Sequence, residues 1–367
     1  MSERPPPSPR WISGIEPPKE LLAATGTEIL QIHCREQPQR FEELIHAYGS
    51  DPALRRQLRS LRELASKPGP LIFLGMGASL CSSISGSVFL NAHGRSAFSV
   101  DAGEWLHYST SAWDAAALSV LLTTSGESAE LVELMKNRGD RSLALVSNNP
   151  ASTCWELAEN RLPILAGPEY GNATKTYTNA AAVSIVLASE MLGLPWEEDA
   201  RRVAGIFSPC LDRVFAMRTS LEEFCRGAAN TEAIGRGAAY GAAVMGALCI
   251  REMTGHRAAP HTGAGFRHGP ILDVDRTHLS LIFALGRAAE LGVRLARECN
   301  RRGGKVVLVS VEELAPSESL FPIRLDPVPE HWEGLTSVLV PQALTLAMTE
   351  RTGCRLPPRF QYGVMEQ

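Results

Sequence analysis

The sequence lacks several patterns that would place the chain in a familiar class of protein. Its eight cysteines form no Cys-x-x-Cys pair, which argues against a zinc knuckle or a dithiol redox motif. No uninterrupted apolar stretch reaches the roughly 18 residues that a membrane-spanning helix needs, so we expect no membrane partner. The proline-rich start, residues 5–9, lacks the apolar core of a secretory signal. These absences favour a soluble, cytoplasmic protein with reduced thiols.

The chain also lacks a strong excess of either charge. Its 36 lysines and arginines against 40 aspartates and glutamates give a formal net charge of −4, without a long block of one sign. Nucleic-acid-binding proteins usually carry a basic surface, so we expect no nucleic acid partner. Apolar material is abundant, because 44% of the 367 residues are hydrophobic. That is enough for one large or two medium domains with packed cores.

Short apolar runs alternate with helical patterns along most of the chain, which predicts parallel sheets with helices on both faces. The alternation occurs twice, and a glycine-rich turn follows the first strand each time, at 75–79 and 235–237. We interpret this as two copies of one α/β unit, joined near residues 196–206. The predicted parts are a flexible tail (1–20), an N-terminal helical segment (21–65), a first subdomain (66–200), a second subdomain (206–351) and a C-terminal tail (352–367).

The same patterns place the individual elements. In the first unit we expect strands at 71–74, 98–100, 118–122, 142–146 and 162–166, and helices at 80–92, 127–138 and 178–193, with a short helix after Asn149. In the second unit we expect strands at 233–234, 279–285, 305–311 and 323–325, and helices at 207–229, 239–254, 287–302 and 331–351.

The segment Thr123–Ser128 reads Thr-Thr-Ser-Gly-Glu-Ser and lies between a predicted strand and a predicted helix. At such a junction the free N–H groups of the first helical turn and the helix dipole attract an anion, and hydroxyl side chains add donors. The same residue types also cap helices, so a simple capped turn with Ser125 at the N-cap is the alternative.

A second junction of this kind, Gly75–Ser79, reads Gly-Met-Gly-Ala-Ser. Glycine lets the backbone approach a ligand closely, and Ser79 can cap the helix while it donates to an oxyanion. If the two strands are neighbours, both junctions face one crevice at the carboxyl edge of the sheet. The pair predicts a phosphate site that lacks both the Walker lysine and the Gly-x-Gly-x-x-Gly spacing of dinucleotide sites.

Two titratable residues are candidates for proton transfer. His268 precedes Gly269-Pro270 and is a candidate because histidine is the usual acid or base near neutral pH, although a histidine that only hydrogen-bonds a turn fits the pattern equally well. Met245, Cys249 and Glu252 fall on one face of a predicted helix, with Glu252 as the only carboxylate of that face. A solvated glutamate near a helix end is the alternative for Glu252.

Taken in order, these motifs resemble those of the sugar isomerase (SIS) superfamily, above all the isomerase portion of glutamine–fructose-6-phosphate aminotransferase and its stand-alone relatives. The pieces cover nearly the whole chain: Glu36-Gln37-Pro38, Gly77-Ala78-Ser79, Thr124–Ser128, Gly167-x-Glu169 with Thr174-Lys175, Gly235-Arg236-Gly237 and Arg267–Pro270. The resemblance implies two tandem flavodoxin-like SIS subdomains, each a parallel sheet flanked by helices. It also implies a homodimer, with a phosphosugar bound in the first subdomain near the subunit interface.

The resemblance further implies roles for single residues. Glu252 matches the glutamate that moves a proton between C1 and C2 of the sugar. His268 matches the histidine that is linked to ring opening and is supplied by the neighbouring subunit. No metal or organic cofactor is needed for this chemistry. Contacts to phosphate and to sugar hydroxyls fall on Ser79, Thr123, Thr124, Ser125 and Ser128.

Three positions depart from the aminotransferase pattern. Met245 stands in place of a glutamate, Cys249 in place of a lysine, and Gly363 in place of the lysine that forms a Schiff base. Met245 and Gly363 cannot titrate, and Cys249 carries no ammonium. We expect neither a leading catalytic cysteine nor a glutaminase domain, and hence no glutamine-dependent amination.

The leading hypothesis is a SIS-type isomerase that interconverts aldose and ketose forms of a hexose phosphate or an amino-sugar phosphate. In it Glu252 is the base and His268 opens the sugar ring. One alternative is deamination or deglycation of an amino-sugar phosphate. Another is a phosphosugar-binding sensor without catalysis, which the three departures favour.

Overall fold

The computed structural model describes residues 24–354 of the chain. The tail expected at 1–20 lies outside the described residues, and so does the C-terminal tail beyond Cys354. Two helices come first, α1 (Gly26–Ser50) and α2 (Pro52–Ala65). Thr25 and Glu28 form a capping box at the start of α1. The Glu28 N–H donates to the Thr25 hydroxyl at 3.2 Å, and the Thr25 N–H donates to the Glu28 carboxylate at 2.7 Å.

The first α/β unit contains five parallel strands, in the order β2-β1-β3-β4-β5 across the sheet. Its strands are β1 (Leu71–Gly75), β2 (Ala97–Asp101), β3 (Leu118–Thr123), β4 (Leu143–Ser147) and β5 (Asn160–Pro163). Its helices are α3 (Ala78–Ala92), α4 (Ala129–Lys136), α5 (Thr153–Leu157) and α6 (Lys175–Leu192), with short helical turns across 102–115. Strands β1, β3 and β4 are buried along their whole length, as expected for strands covered on both faces.

The second unit follows two further helices, α7 (Glu197–Ala216) and α8 (Arg218–Phe224). Its five strands are also parallel, in the order β10-β9-β8-β6-β7. They are β6 (Asn230–Gly235), β7 (Arg257–Thr262), β8 (His278–Ala284), β9 (Lys305–Ser310) and β10 (Leu320–Arg324). The helices are α9 (Ala239–Thr254), α10 (Gly263–Arg267), α11 (Ala289–Arg301), α12 (Glu333–Ser337) and α13 (Leu339–Thr352).

Numbered within each unit, both sheets have the strand order 2-1-3-4-5. This is the flavodoxin-like order, and it confirms the predicted fold of two tandem α/β subdomains, each a parallel sheet with flanking helices. In such a sheet the chain reverses its direction of winding between the first and third strands, and a ligand crevice opens at their carboxyl ends. The first crevice therefore lies between β1 and β3, and the second crevice lies between β6 and β8.

Several predicted elements differ from the structure. The strand expected at 162–166 is β5 at 160–163, because Leu165 has a left-handed φ of +55° that ends the extended backbone. The join expected near 196–206 lies almost entirely inside α7. The single helices expected at 207–229 and 331–351 are interrupted at Met217 and Val338. The sequence pattern does not predict β7, whose residues Arg-Ala-Ala-Pro-His-Thr include few strand formers.

Helix α6 is buried from Lys175 to Ser189 and packs against α1 and α3. Its contact with α3 is close: a Cβ on Gly86 would lie 2.6 Å from the backbone oxygen of Ser184, so a residue with a side chain does not fit without a shift. This packing holds α3, which begins beside the first crevice, against the interior of the protein. Although α6 is long and largely apolar, neither it nor any other described helix meets the length and hydropathy needed to cross a membrane.

Candidate functional site

The two serine-containing junctions lie side by side at the first crevice. Strands β1 and β3 are hydrogen-bonded neighbours, with Leu74 opposite Leu121, so the turns that follow them leave the same edge of the sheet. Gly77, in the first turn, has a φ of +53°, and a Cβ added there would meet no described atom within 4 Å. The backbone of this turn is therefore open to a ligand.

Side-chain hydroxyls hold the second turn in shape. Thr123 Oγ1 accepts a hydrogen bond from the Gly126 N–H at 3.0 Å, and Ser125 Oγ accepts one from the Glu127 N–H at 3.2 Å. Ser128, not Ser125, occupies the N-cap position of α4, so the alternative with Ser125 as the cap is wrong. Thr123 is 2% exposed and lies under the turn, whereas Ser125 and Ser128 are half-buried.

Several donors at the first crevice have no protein partner. Within residues 24–354, the hydroxyls of Ser79, Thr124 and Ser128 make no hydrogen bond. The first N–H groups of α4 have no intrahelical acceptor, as at any helix start. The Glu127 carboxylate is engaged elsewhere, since it accepts bonds from the N–H and the hydroxyl of Thr153 at 2.8 Å and 2.9 Å. We call Ser79 together with residues 123–128 the cradle; its free donors suit a phosphate group.

Glu252, near the end of α9, reaches from the second unit to the first. Nδ2 of Asn172 donates a hydrogen bond to Oε2 of Glu252, and Asn172 belongs to the loop between β5 and α6. Glu252 is half-buried, unlike the solvated glutamate of the alternative interpretation. Burial raises the pKa of the Cys81 thiol to about 12, and the negative charge of Glu252 adds to this effect. Helix α9, which carries Glu252, packs against α3, the helix whose first turn carries Ser79.

Met245 and Cys249 precede Glu252 on α9 and are each 1% exposed. Burial raises the pKa of the Cys249 thiol to about 12, so this side chain is neutral at physiological pH. Neither residue places a positive charge beside Glu252. Gly363, the third departure noted in the sequence, lies outside the described residues.

The loop that carries Asn172 is held by a buried carboxylate. Glu169 is 6% exposed and accepts bonds from the N–H and the hydroxyl of Thr174, at 3.1 Å and 2.7 Å. It also accepts a bond from the Lys175 N–H at 2.8 Å. These contacts satisfy the otherwise free donors at the start of α6, so the loop is joined firmly to that helix.

An ion pair between a buried lysine and a partly exposed glutamate joins this region to α1. The Lys175 ammonium pairs with Glu36, and the Tyr170 N–H donates to Nε2 of His33 at 3.0 Å. Although burial opposes ionisation, hydrogen bonds from His33 and Lys175 hold the pKa of the Glu36 carboxyl at about 2. Glu36 and Lys175 stand in motif segments that the sequence singled out, without a role assigned to them. Asn172 stands outside those motifs, and the sequence offers no signal for its contact with Glu252.

His268 follows α10, beside the edge strand β7 of the second sheet. Its side chain is exposed, and its ring makes no hydrogen bond within the described part of the chain. The structure thus brings the two turns of the cradle together and places Glu252 on a helix that packs against the helix of Ser79, while His268 remains on the surface of the second unit.

The second crevice differs from the first in being filled by a side chain. Gly237 is the counterpart of Gly77 and has a similar φ of +56°, but a Cβ there would lie 3.7 Å from Oε1 of Glu330. A Cβ on Gly286, which follows β8, would lie 3.0 Å from Cγ of the same glutamate. The Glu330 carboxylate therefore covers the glycine turns of the second crevice, whereas the space at Gly77 in the first crevice is open.

Comparisons with known proteins agree with this architecture. Residues 231–349 match the family model of the SIS domain. Glutamine–fructose-6-phosphate aminotransferase (isomerizing) from Pyrococcus horikoshii is 29% identical over 321 residues, which cover 84% of this chain and 52% of that protein. The chain spans about half, or less, of the length of such curated relatives.

Solved structures share the fold. The C-terminal domain of glucosamine-fructose-6-phosphate aminotransferase from Francisella tularensis has a TM-score of 0.79 at 19% identity, covering 90% of this chain and 97% of that one. Tagatose-6-phosphate ketose/aldose isomerase from Escherichia coli has a TM-score of 0.72 at 19% identity, covering 94% and 99%. Residues 231–349 thus match the SIS domain, and the chain is similar in its tandem α/β architecture to the C-terminal domain of glucosamine-fructose-6-phosphate aminotransferase and to tagatose-6-phosphate ketose/aldose isomerase.

Proposed function

We propose that the chain is a phosphosugar isomerase of the SIS type, which interconverts aldose and ketose forms of a hexose phosphate or an amino-sugar phosphate. The observation that carries this proposal is the open cradle in the first crevice, together with the half-buried Glu252 on α9, the helix that packs against the helix of Ser79. A cradle of free donors suits a phosphorylated substrate, and a carboxylate suits proton transfer. The names of the P. horikoshii and E. coli proteins add the reaction type.

Phosphate binding falls to the cradle in this proposal. The hydroxyls of Ser79, Thr124, Ser125 and Ser128 donate to the phosphate oxygens or to sugar hydroxyls, together with the first N–H groups of α4. Thr123 supports the turn from below through its bond with Gly126. Hydrogen bonds to a charged acceptor contribute about 1.5–3 kcal/mol each, so a few of them bind a phosphate without a lysine.

Glu252 acts as the base. Its carboxylate removes the proton from C2 of the open-chain aldose, and the C–H electron pair forms a C1=C2 double bond. The carbonyl oxygen takes up a proton, which gives an enediol. Loss of the O2 proton restores a carbonyl at C2, while C1 receives a proton from the Glu252 carboxyl group. No electron leaves the substrate, so the step needs no metal or organic cofactor.

His268 opens the sugar ring in this proposal, and it is supplied by a second copy of the chain. The active form is then a homodimer with the site near the subunit interface. The exposed ring of His268 supports a contribution to a neighbouring molecule. Gly363 stands where the resemblance places the lysine that forms a Schiff base, so a Schiff-base route is not part of the proposal.

The test compares the wild type with Glu252→Gln, using fructose 6-phosphate and glucosamine 6-phosphate as substrates. Loss of the base should lower kcat by about 100-fold or more, while substrate binding changes little because the cradle is intact. Glu290→Gln is the control, since Glu290 is an exposed glutamate on α11 that pairs with Arg294. Equal turnover by the wild type and Glu252→Gln would overturn the assignment of the base.

The same experiment separates the other hypotheses. Release of ammonia from glucosamine 6-phosphate would identify a deaminase in place of an isomerase. Tight binding without turnover across a panel of hexose phosphates would identify a sugar-phosphate sensor. Either result would replace the proposed reaction, while the role of the cradle in binding would stand.

A further inference from the structure

We propose that Asn172 is a positioning residue, which orients the Glu252 carboxylate and keeps it ionised for proton transfer. The inference rests on the proposed role of Glu252 as the base. Asn172 is 4% exposed, and its Nδ2 donates to Oε2 of Glu252 from a loop 80 residues earlier in the chain. One side chain of the first unit therefore holds the proposed base of the second unit.

The loop around Asn172 is rigid enough for this role. Upstream, Asn148 bridges it to the end of β4. Its Nδ2 donates to the Gly167 carbonyl at 2.8 Å, and its Oδ1 accepts from the Ala166 N–H at 3.0 Å. Downstream of Asn172, the N–H groups of Thr174 and Lys175 at the start of α6 donate to the buried Glu169 carboxylate. An amide fixed on both sides can hold a carboxylate within the narrow range of angles that proton transfer needs.

The chemistry of the amide restricts what Asn172 can do. Its NH₂ group donates but does not ionise at physiological pH, so it cannot take the proton from substrate. A donor to a carboxylate stabilises the ionised form, which is the form that a base must have. Asn172 thus acts through Glu252 and not on the reacting carbon.

The carbonyl oxygen of the Asn172 amide is less well satisfied than its NH₂ group. Oδ1 of Asn172 is buried and has no hydrogen-bond partner among the described residues. A buried acceptor without a partner destabilises a folded protein, so this oxygen gives no reason for an asparagine at this position. An asparagine here is better explained by its bond to Glu252 than by stability.

The arrangement predicts separate effects on catalysis and on binding. Asn172→Leu removes the donor at similar volume and should lower kcat by about 10- to 100-fold, with KM nearly unchanged because the cradle is untouched. Asn172→Asp keeps the shape but places a second carboxylate against Glu252. Since like charges oppose ionisation, the acid limb of the pH–rate profile should move to higher pH by about one unit or more.

A direct readout does not require turnover. In the full chain labelled with ¹³C at the glutamate carboxyl carbons, the Glu252 signal is the one that disappears in Glu252→Gln. It should titrate at higher pH in Asn172→Leu than in the wild type, and higher still in Asn172→Asp. Asn179→Ala is the matched control. Asn179 is also buried with an unpartnered Oδ1, but its amide donates only to the backbone oxygens of Arg40 and Ile164.

The outcomes distinguish this inference from the proposed function. If Glu252→Gln keeps full turnover, Glu252 is not the base and the proposed function fails. If Glu252→Gln is inactive but Asn172→Leu and Asn172→Asp retain the wild-type kcat, pH profile and carboxyl titration, only the role of Asn172 is overturned. A shift of the Glu252 titration in Asn179→Ala equal to that in Asn172→Leu would also overturn it, because the effect would then be a general loss of structure.

Discussion

Nε of Arg287 donates to both carboxylate oxygens of Glu330, at 2.9 Å each. This ion pair lies over the second crevice, where Glu330 approaches the glycine turns after β6 and β8. At the first crevice the corresponding space above Gly77 is open. The two units have the same strand order, but the glycine turn of the first crevice is open, whereas that of the second faces the Glu330 carboxylate.

We predict that the wild type binds one sugar phosphate per chain. A phosphate at the second crevice would meet the negative charge of Glu330, and like charges repel. Glu330→Ala removes that charge and should allow a second, weaker equivalent of inorganic phosphate or fructose 6-phosphate to bind, which titration calorimetry measures. Glu290→Ala, on an exposed part of α11, should stay at one equivalent. Two equivalents bound by the wild type would contradict the closed second crevice.

The stability of the protein should depend on the ionisation of Glu333. Burial raises the pKa of Glu333 to about 7, and the charge of Glu330 adds to the effect. A carboxyl whose folded pKa is raised stabilises the fold fully below its unfolded pKa, near 4.5, and this contribution is lost as pH rises through about 7. Relative to the wild type, Glu333→Gln should therefore gain on the order of 2 kcal/mol in free energy of unfolding between pH 5 and pH 8.

Urea denaturation at several pH values measures this difference. The neighbouring His331 also titrates: burial lowers its pKa to about 4, so its contribution is lost as pH falls below about 6.5. That effect is present in both proteins and cancels when Glu333→Gln is compared with the wild type. Glu313→Gln, at an exposed position, should leave the pH dependence unchanged. Parallel curves for the wild type and Glu333→Gln would show that Glu333 is ionised throughout.

The free hydroxyls of the cradle should each contribute to ligand binding. Ser79→Ala, Thr124→Val and Ser128→Ala each remove one donor and should weaken sugar-phosphate binding by about 10-fold, because a bond to a charged acceptor is worth about 1.5–3 kcal/mol. Calorimetric titration of each variant with fructose 6-phosphate or glucosamine 6-phosphate gives the change in Kd. Ser66→Ala is the control, since Ser66 is an exposed serine at the end of α2. If a variant that combines all three substitutions binds the ligand with unchanged affinity, the cradle is not the phosphate site.

Much of the fold could be predicted because its signals are local. The strands 71–75, 118–123 and 305–310 are rich in apolar residues, and α9 has the predicted bounds 239–254. The turns of the cradle were also recognisable, since glycine and serine at a strand-to-helix junction have a direct structural meaning. What these signals share is that the residues responsible are neighbours in sequence.

The features that escaped prediction depend on residues far apart in the chain. Strand β7 is an edge strand that exists through its pairing with β6, where Ala258 lies opposite Thr231. Its Pro260 is tolerated because an edge strand leaves some N–H positions unpaired. The hydrogen bond between Asn172 and Glu252 joins the two units, and no periodic pattern in the sequence indicates it. Both features are set by tertiary contacts and not by local preference.

Gly86 tests how closely α3 must approach α6 for the fold to be stable. A Cβ at Gly86 would lie 2.6 Å from the backbone oxygen of Ser184, and backbone atoms cannot move aside as a flexible side chain can. Gly86→Ala should therefore lower the free energy of unfolding by about 1–3 kcal/mol, as overpacking does in other cores.

The matched control is Gly205→Ala in α7, where a Cβ would meet no described atom within 4 Å. Since alanine favours a helix over glycine by about 1 kcal/mol, this substitution should stabilise the protein slightly. Urea denaturation of the two variants should thus give changes of opposite sign. If Gly86→Ala proved as stable as Gly205→Ala, the contact between α3 and α6 would be looser than the structure indicates. The position of Ser79 at the start of α3 would then not depend on the contact between α3 and α6.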